Sequence, residues 1–324
     1  MKQRRKRERL WRQRRCILSL LALPLCLLQN CRSYRSQKRV AVIGPTGGLV
    51  YWQVYDHAVA AGDRTIQFSY SSPQAINDSP EQAHMVSAAI ERKVDGIIIV
   101  PAHQLVLVSV VREALRSDIP VVVVGAPIAL PKNERLTMVT QDDAAIGRMA
   151  AERLLQLMHR AGRVGIVSSS PTLESSVTRE QAFTNRIREE RGMSIADVRY
   201  ALSDWARARQ GALDLTSQDS MKVGGIFSVD EFCTHGVISA FEGQPDSRPF
   251  LVGVGQESDQ LDSLREHRID ALITTDPKEL ASESVQALRL LLARQVAFPQ
   301  TVTVHLVDTA NLNDASVRNM REAP

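Results

Sequence analysis

The sequence predicts an α/β protein with two doubly wound units, and three observations support this prediction. From Arg39 onward, short apolar runs rich in β-branched residues alternate with amphipathic stretches, which is the rhythm of βαβ units around a parallel sheet. Eleven such runs are too many for one simple doubly wound sheet. A length of 324 residues also favours two compact units over one.

The predicted strands are short and are separated by stretches long enough for a helix. In chain order they are Val40–Ile43, Thr65–Ser69, Gly96–Val100, Val121–Val124, Met138–Val139, Arg163–Val167, Val198–Ala201, Gly225–Phe227, Leu251–Val254, Ala271–Thr274 and Val302–Leu306. Between strands, Pro80–Arg92 and Ala145–His159 carry apolar residues at helical spacing and are predicted helices. Because ligands bind beyond the carboxyl ends of strands in such sheets, we expect functional residues in the loops after strands.

Residues 1–31 have the pattern of an export signal. A basic stretch, Lys2–Arg15, precedes the apolar run Ile17–Leu28, and this order is that of the n-region and h-region of a signal peptide. The twelve residues of the apolar run are too few to cross a bilayer as an ordinary helix. A signal–anchor helix and a basic N-terminal arm are the alternatives. We expect export, with residues 32–38 as a short tether.

The sequence around one cysteine predicts a membrane anchor. The segment Leu28-Gln29-Asn30-Cys31 resembles a bacterial lipoprotein cleavage box, with Asn30 where a smaller residue is usual. We therefore expect Cys31 to be a lipidation site, which would hold the protein at the membrane in the periplasm or on the surface of a bacterial cell. Of the four cysteines only Cys233 lies beyond this segment, so no intrachain disulfide is expected.

The distribution of charge argues against nucleic-acid binding. The formal net charge is +4, but the first 39 residues hold 13 of the 40 Lys and Arg residues and only one of the 36 Asp and Glu residues. The remaining chain is therefore acidic by eight charges. A protein that neutralises phosphates needs basic residues on its folded surface, so we expect no nucleic-acid partner.

The sequence has no motif with the spacing of a catalytic, cofactor or metal site. The glycine-rich residues 44–48 follow the first predicted strand but lack the Gly-Lys-Ser/Thr ending of a phosphate loop and the G-x-G-x-x-G spacing of a dinucleotide site. The serines at 168–170 have no G-x-S-x-G elbow around them. The seven histidines show no zinc-ligand spacing. We therefore expect no enzymatic activity, no cofactor and no metal.

Several segments, each weak alone, match one family in their order and spacing. They are 94–101 (VDGIIIVP), 139–151 (VTQDDAAIGRMAA), 166–183 (IVSSSPTLESSVTREQAF) and 269–277 (IDALITTDP). Together they make residues 39–312 similar to the type I periplasmic binding proteins, specifically the ribose/galactose-type sugar receptors of ABC importers. The resemblance implies two αβα lobes joined by three hinge crossovers. One lobe would comprise 39–140 and 277–300, and the other 141–276 and 301–324.

The resemblance implies five ligand contacts in the first lobe. Tyr51 and Trp52 resemble the family's aromatic stretch, whose rings stack on the C–H faces of a sugar. His103 and Gln104 stand where the family often carries a sugar-binding polar pair, with His103 at the usual Asp. Thr46, in the glycine-rich turn, completes the set.

Five further contacts are implied in the second lobe. Arg179 matches the arginine whose planar fork of donors commonly grips sugar oxygens. Trp205 belongs to an acidic–aromatic pair that closes the pocket, and Asp230 stands at the family's usual Asn. Gln256 follows the strand Leu251–Val254, and Thr275 stands at a ligand-contacting Gln.

Three family carboxylates are replaced, by His103, Gly125 and Gly255. The resemblance therefore implies a sugar or polyol as the ligand but names no particular sugar. It implies a monomeric, extracytoplasmic solute-binding protein that closes on this ligand and delivers it to an ABC permease. The alternative is a ligand-sensing receptor for a histidine kinase or chemoreceptor. A lac-repressor-type regulator shares the fold but needs an N-terminal helix-turn-helix, where residues 1–38 offer a signal instead.

Overall fold

The computed structural model describes residues 37–45, 49–75, 78–131, 133–217, 223–244 and 247–322. The expected leader with Cys31, most of the expected tether, and Thr46 lie outside these residues. The described chain begins with β1 (Lys38–Ile43), α1 (Val50–Gly62), β2 (Ile66–Ser71), α2 (Ser79–Glu91), β3 (Gly96–Ile99), α3 (Val108–Arg116), β4 (Val121–Gly125) and β5 (Leu136–Gln141).

The middle of the chain repeats the same alternation of strands and helices. It comprises α4 (Asp143–Leu157), β6 (Gly162–Ser168), α5 (Glu174–Arg188), β7 (Met193–Tyr200), α6 (Trp205–Ser217), β8 (Gly225–Ser228), α7 (Glu231–Ala240), β9 (Phe250–Val254), α8 (Ser258–Arg265) and β10 (Ala271–Thr275). The last elements are α9 (Pro277–Leu292), β11 (Gln300–Val302), β12 (Val304–Val307) and α10 (Ala315–Arg321).

The strands form two six-stranded sheets, and this confirms the predicted fold class. The first sheet has the order β11-β5-β4-β3-β1-β2, and the second has the order β12-β10-β9-β8-β6-β7. All pairings are parallel except that of β12 with β10. We call the first sheet with its helices the first lobe and the second sheet with its helices the second lobe. The chain passes between the sheets after β5, after β10, and between β11 and β12.

Both faces of the first sheet are covered by helices, which explains its almost continuously apolar strands. Along β1, Val40 and Val42 pack with apolar residues of α1 and α9, whereas Ala41 and Ile43 pack with those of α2 and α3. This alternation follows from the two-residue period of a strand. The second lobe has one core cluster of its own, which includes Phe183 stacked on Phe227 at a centroid distance of 4.8 Å.

The predicted strand Val302–Leu306 is wrong, because the structure divides it between two strands in different sheets. β11 pairs with β5 of the first sheet and β12 pairs with β10 of the second. The third crossing therefore lies at Thr303, between the end of β11 and the start of β12. The following helix α10 contacts α1 and α9, while its residue Val317 packs into the second-lobe core.

Within the described part of the chain, no helix is long and apolar enough to cross a membrane. Over the same residues, no three His, Cys, Asp or Glu side chains are grouped as metal ligands would be. Cys233 is buried as a free thiol in α7.

Candidate functional site

A cavity of ≈ 180 Å³ lies between the two lobes. The loops after β1, β3 and β4 and the first turn of α1 line one side, and the loops after β6, β7 and β8 and the first turn of α5 line the other. These are carboxyl ends of parallel strands, where ligands of such sheets bind. Six of the predicted ligand contacts line the cavity: Tyr51, Trp52, His103, Gln104, Arg179 and Asp230.

The first-lobe wall is built around Trp52, which is half-buried. Its ring lies edge-on to that of Tyr51 at 4.9 Å and to that of Tyr55 at 5.6 Å. Gly125 lies beside it with a φ of +82°, and a β-carbon there would be 3.6 Å from the Trp52 ring. Glycine at the position of the family's Asp therefore leaves the space next to this ring open to the cavity, and two buried tyrosines hold the ring in place.

The polar loops of this wall are held together by Gln82, a buried residue of α2. Its amide nitrogen donates to the carbonyls of Gly44 at 2.6 Å and Val100 at 2.7 Å, and its amide oxygen accepts from the N–H of Ala102 at 2.9 Å. These contacts join the loops after β1 and β3. The second loop carries His103 and Gln104, so Gln82 positions residues that line the cavity without lining it itself.

Tyr51 connects the first-lobe wall to two of the crossings between lobes. Its hydroxyl lies 2.7 Å from the Thr275 hydroxyl and accepts a hydrogen bond of 3.2 Å from the amide nitrogen of Gln141. Gln141 ends β5 and Thr275 ends β10. Burial raises the pKa of the Tyr51 phenol, so this hydroxyl is protonated and serves as a neutral hydrogen-bonding group.

Arg179 is buried beneath the second-lobe wall and is held by three protein acceptors. Nε donates to the carboxylate of Asp143 at 2.7 Å, one terminal nitrogen to the carbonyl of Val229 at 2.7 Å, and the other to the amide oxygen of Gln141 at 3.0 Å. Burial by itself lowers the pKa of Arg179, but the nearby carboxylates of Asp143, Glu231 and Asp230 raise it above its ordinary value. The predicted free fork of donors is thus largely occupied by the protein.

Carboxylates and the hydroxyls of Ser169, Ser175, Ser176 and Ser203 make up the rest of the polar second-lobe wall. One oxygen of Asp230 caps α7 by accepting from the N–H of Cys233 at 2.8 Å. Glu231 and Glu174 also line the cavity. Burial raises the pKa of Glu231 to about 7; the charge of Arg179 opposes this, and the charges of Asp230 and Glu257 add to it. This wall therefore presents hydrogen-bond acceptors and negative charge.

Three predicted contacts lie away from the cavity in this structure. Trp205 begins α6 with 53% of its surface exposed, and its ring lies edge-on to His235 at 5.8 Å. Gln256 is buried, where its amide oxygen accepts from the hydroxyl of Thr274 at 2.9 Å. Thr275 is buried against Tyr51. Because these side chains are turned outward or held by neighbours, none of the three lines the cavity.

The side chains that sequence reasoning missed include Gln82, Gln141, Glu174 and Glu231, which line the cavity or order its walls. Glu231 directly follows the predicted contact Asp230, and two acids after a strand were a signal that could have been followed. Asp142 caps α4, as expected for one of the pair Asp142 and Asp143, by accepting from the N–H of Ala145 at 2.7 Å. Asp143 instead forms the ion pair with Arg179.

Comparison with known proteins gives one family match and many similar folds. The family model of the periplasmic binding protein domain matches residues 40–295. A search of curated proteins finds no match. Among solved structures, an ABC transporter solute-binding protein from Agrobacterium vitis with bound D-fucose is 22% identical with a TM-score of 0.80, and the match covers 87% of this chain and 99% of the other.

Two further structures show the same likeness of fold. A carbohydrate transporter solute-binding protein from Agrobacterium radiobacter, in complex with D-arabinose, is 20% identical with a TM-score of 0.82, over 89% of this chain and 100% of the other. An ABC transporter solute-binding protein from Bacillus halodurans with bound myo-inositol is 19% identical with a TM-score of 0.76, over 87% and 98% of the two chains.

Proposed function

Because the chain belongs to the family of the periplasmic binding protein domain, we propose that it is an extracytoplasmic solute-binding protein. In this proposal it closes its two lobes on a single sugar or polyol molecule and delivers it, as a monomer, to an ABC importer. The function is binding and presentation, with no bond of the solute made or broken.

The observation that carries the proposal is the cavity between the lobes. Its volume of ≈ 180 Å³ suits a small solute rather than a peptide. One wall offers the ring of Trp52 and the other offers carboxylates. An aromatic face suits the C–H face of a sugar ring, and carboxylates accept hydrogen bonds from hydroxyls.

The ligands of the similar structures support the same class of solute. Those proteins hold D-fucose, D-arabinose and myo-inositol, which are all small and rich in hydroxyl groups. With identities of 19–22%, the similarity in fold gives no reason to choose one of these molecules. We therefore propose the class, a sugar or polyol, as the solute.

The test is binding by the purified protein and by two tryptophan variants. A thermal-shift screen over monosaccharides and polyols, followed by calorimetry on the hits, should find a solute that raises the melting temperature by mass action. Trp52→Ala should then weaken its affinity by about 1–3 kcal/mol, because a stacking surface in the cavity is lost. Trp205→Ala is the matched control, since this exposed ring lies outside the cavity. The Trp205→Ala variant should bind the solute with the same affinity as the unsubstituted protein.

A screen in which only amino acids or nucleotides shift the melting temperature would refute the proposed solute class. Equal loss of affinity in Trp52→Ala and Trp205→Ala would refute the proposal that the Trp52 ring contacts the solute in the cavity.

We also propose that residues 1–31 direct export and that Cys31 carries the lipid anchor. The proposal rests on the basic-then-apolar pattern of Lys2–Leu28 and on the Leu28–Cys31 segment. In a bacterial host, the mature protein should fractionate with membranes, and Cys31→Ser should release it to the soluble extracytoplasmic fraction. Cys233→Ser is the control and should leave fractionation unchanged. Identical fractionation of the parent and Cys31→Ser would refute the anchor.

A further inference from the structure

Within the described residues, the carboxylates and the guanidinium that line the proposed binding cavity all lie on one side. The first-lobe wall contributes aromatic, apolar and neutral polar side chains. The described lining includes four carboxylates and one guanidinium, all from α4, α5 and the start of α7: Asp143, Glu174, Asp230, Glu231 and Arg179. The acids thus outnumber the base by three.

The single guanidinium does not neutralise this excess. Arg179 forms a 2.7 Å ion pair with Asp143, and both residues are buried with side chains about one-tenth exposed. Its other two nitrogens donate to Val229 and Gln141. One positive charge is therefore matched by one buried negative charge.

Three carboxylates remain without an ion-pair partner among the described residues: Glu174, Asp230 and Glu231. Glu174 is exposed at the rim, where water screens its charge. Asp230 and Glu231 are adjacent and partly buried, and one oxygen of Asp230 is already bonded to the N–H of Cys233. Two neighbouring carboxylates in a closing cavity lose water on one side and repel each other. The charge of Arg179 opposes this repulsion only in part, and a further positive charge beside the pair would relieve it.

The protonation of Glu231 agrees with this geometry. Burial raises the pKa of its carboxyl to about 7, so protonation of this carboxyl becomes easier in the empty protein. A cationic group of the solute would stabilise the ionised form and release that proton. With a neutral solute, only a proton on Glu231 would relieve the repulsion between Asp230 and Glu231.

We propose that the solute carries a protonated amine, as an amino sugar or amino polyol does, and that the ammonium lies beside Asp230 and Glu231 while the rest of the solute lies against Trp52. This inference rests on the proposed function, because it specifies the chemical class of solute taken by the same cavity. Ammonium donors and carboxylate acceptors form charge-assisted hydrogen bonds, which are stronger than those from neutral hydroxyls.

Calorimetry at neutral pH tests the inference with matched sets of sugars. The probes are D-glucosamine, D-galactosamine and D-mannosamine, each beside its parent hexose and its N-acetyl derivative, with the corresponding amino alditols and alditols. At least one amine should bind about tenfold or more tightly than both its neutral counterparts, since hydrogen bonds to charged groups contribute more than neutral ones. If the parent hexoses, N-acetyl derivatives or alditols bind as tightly as the amines, the inference is overturned while the proposed function remains intact.

A screen in which no sugar or polyol binds, amine-bearing or neutral, would instead refute the proposed function itself. If putrescine or arginine were the only compounds that bind, the proposed function would also be refuted, because these amines contain no sugar or polyol.

Paired variants show whether Glu231 recognises the amine. Glu231→Gln keeps the size of the side chain and should weaken the binding of the amine about tenfold, while the parent hexose changes by less than about threefold. Glu242→Gln is the matched control, an exposed acid just beyond α7, and should change neither affinity. Equal weakening of amine and hexose in Glu231→Gln would overturn the proposed charge recognition.

Discussion

At the cavity wall, the carboxyl of Glu231 links stability to pH. Burial raises its pKa to about 7 from an ordinary 4.5, so between these values the folded protein keeps a proton that the unfolded chain has released. The free energy of unfolding therefore falls as pH rises from about 4.5 to about 7, and it stays lowered above that range. The ionised Glu231 of the empty protein thus opposes folding at neutral and higher pH.

The variant Glu231→Gln should remove this dependence. At pH 8 it should raise the free energy of unfolding of the empty protein by about 1–3 kcal/mol, allowing for water in the cavity, and at pH 5 it should have little effect. Melting curves at the two pH values measure this. Glu242→Gln should show no such difference. A stabilisation that is equal at pH 5 and pH 8 would contradict the raised pKa.

Arg179 shows that a residue can lie in the predicted place and perform a structural task there. Its partners Asp143, Gln141 and Val229 are 36 to 50 positions away in the chain, so no local pattern could show that its nitrogens are occupied. The resemblance placed the arginine at the site, and only the fold shows that it joins β5, α4 and the loop after β8.

Removing this arginine should therefore damage the fold as well as the site. Arg179→Ala leaves the buried Asp143 without its counter-charge and should lower the free energy of unfolding by about 3–5 kcal/mol. Arg207→Ala is the matched control, because Arg207 lies 3.9 Å from Asp204 in an exposed pair, and it should cost less than about 1 kcal/mol. Chemical denaturation measures both. If Arg179→Ala and Arg207→Ala lower the free energy of unfolding by equally small amounts, the Arg179–Asp143 pair contributes little to folding.

Among the elements, the strands were predictable wherever burial on both faces made them continuously apolar. Gly96–Ile99 and Val121–Gly125 are buried along nearly their whole length, and their runs of Ile and Val indicated this directly. β7 was less well predicted: it spans Met193–Tyr200 and is only partly buried, so its sequence lacks a strong apolar run. The prediction Val198–Ala201 reached only its end.

The division of Val302–Leu306 could not be read from the sequence. Apolar and polar residues alternate through Val302, Thr303 and Val304 without any turn residue, and this is the pattern of one continuous strand. Each half pairs with a strand far away in the chain, β11 with β5 and β12 with β10. The break is therefore set by tertiary pairing, and local propensity carries no sign of it.

At the scale of the whole molecule, the lobes touch each other through a helix end as well as through the crossings. Helix α1 has no side-chain cap at Leu49 and no acidic residue in its first turn. The carboxylate of Glu257, which precedes α8 in the second lobe, accepts from the N–H of Val50 at 3.1 Å and from that of Tyr51 at 3.4 Å. A negative charge at a helix N-terminus satisfies unpaired N–H groups and interacts favourably with the helix dipole.

This cap exists only while the lobes lie against each other, so it should favour the closed state whatever the solute. Solute affinity includes the free energy of closing. Glu257→Ala should therefore weaken solute binding about three- to tenfold, as expected from the loss of a helix cap, and should enlarge the radius of gyration of the empty protein in solution scattering. Glu257→Gln keeps one acceptor oxygen and should fall between the parent and the alanine variant.

Glu242→Ala provides the control for this last prediction, because it removes an exposed acid of the same lobe and should change neither affinity nor radius of gyration. Glu257 also contributes to the raised pKa of Glu231, so affinities should be compared for a neutral sugar, whose binding depends little on that carboxyl. A lower melting temperature with unchanged affinity and unchanged radius of gyration would mean that Glu257 stabilises the fold without biasing closure. Weaker binding together with a larger empty protein would identify Glu257 as a residue through which the second lobe holds the first lobe closed.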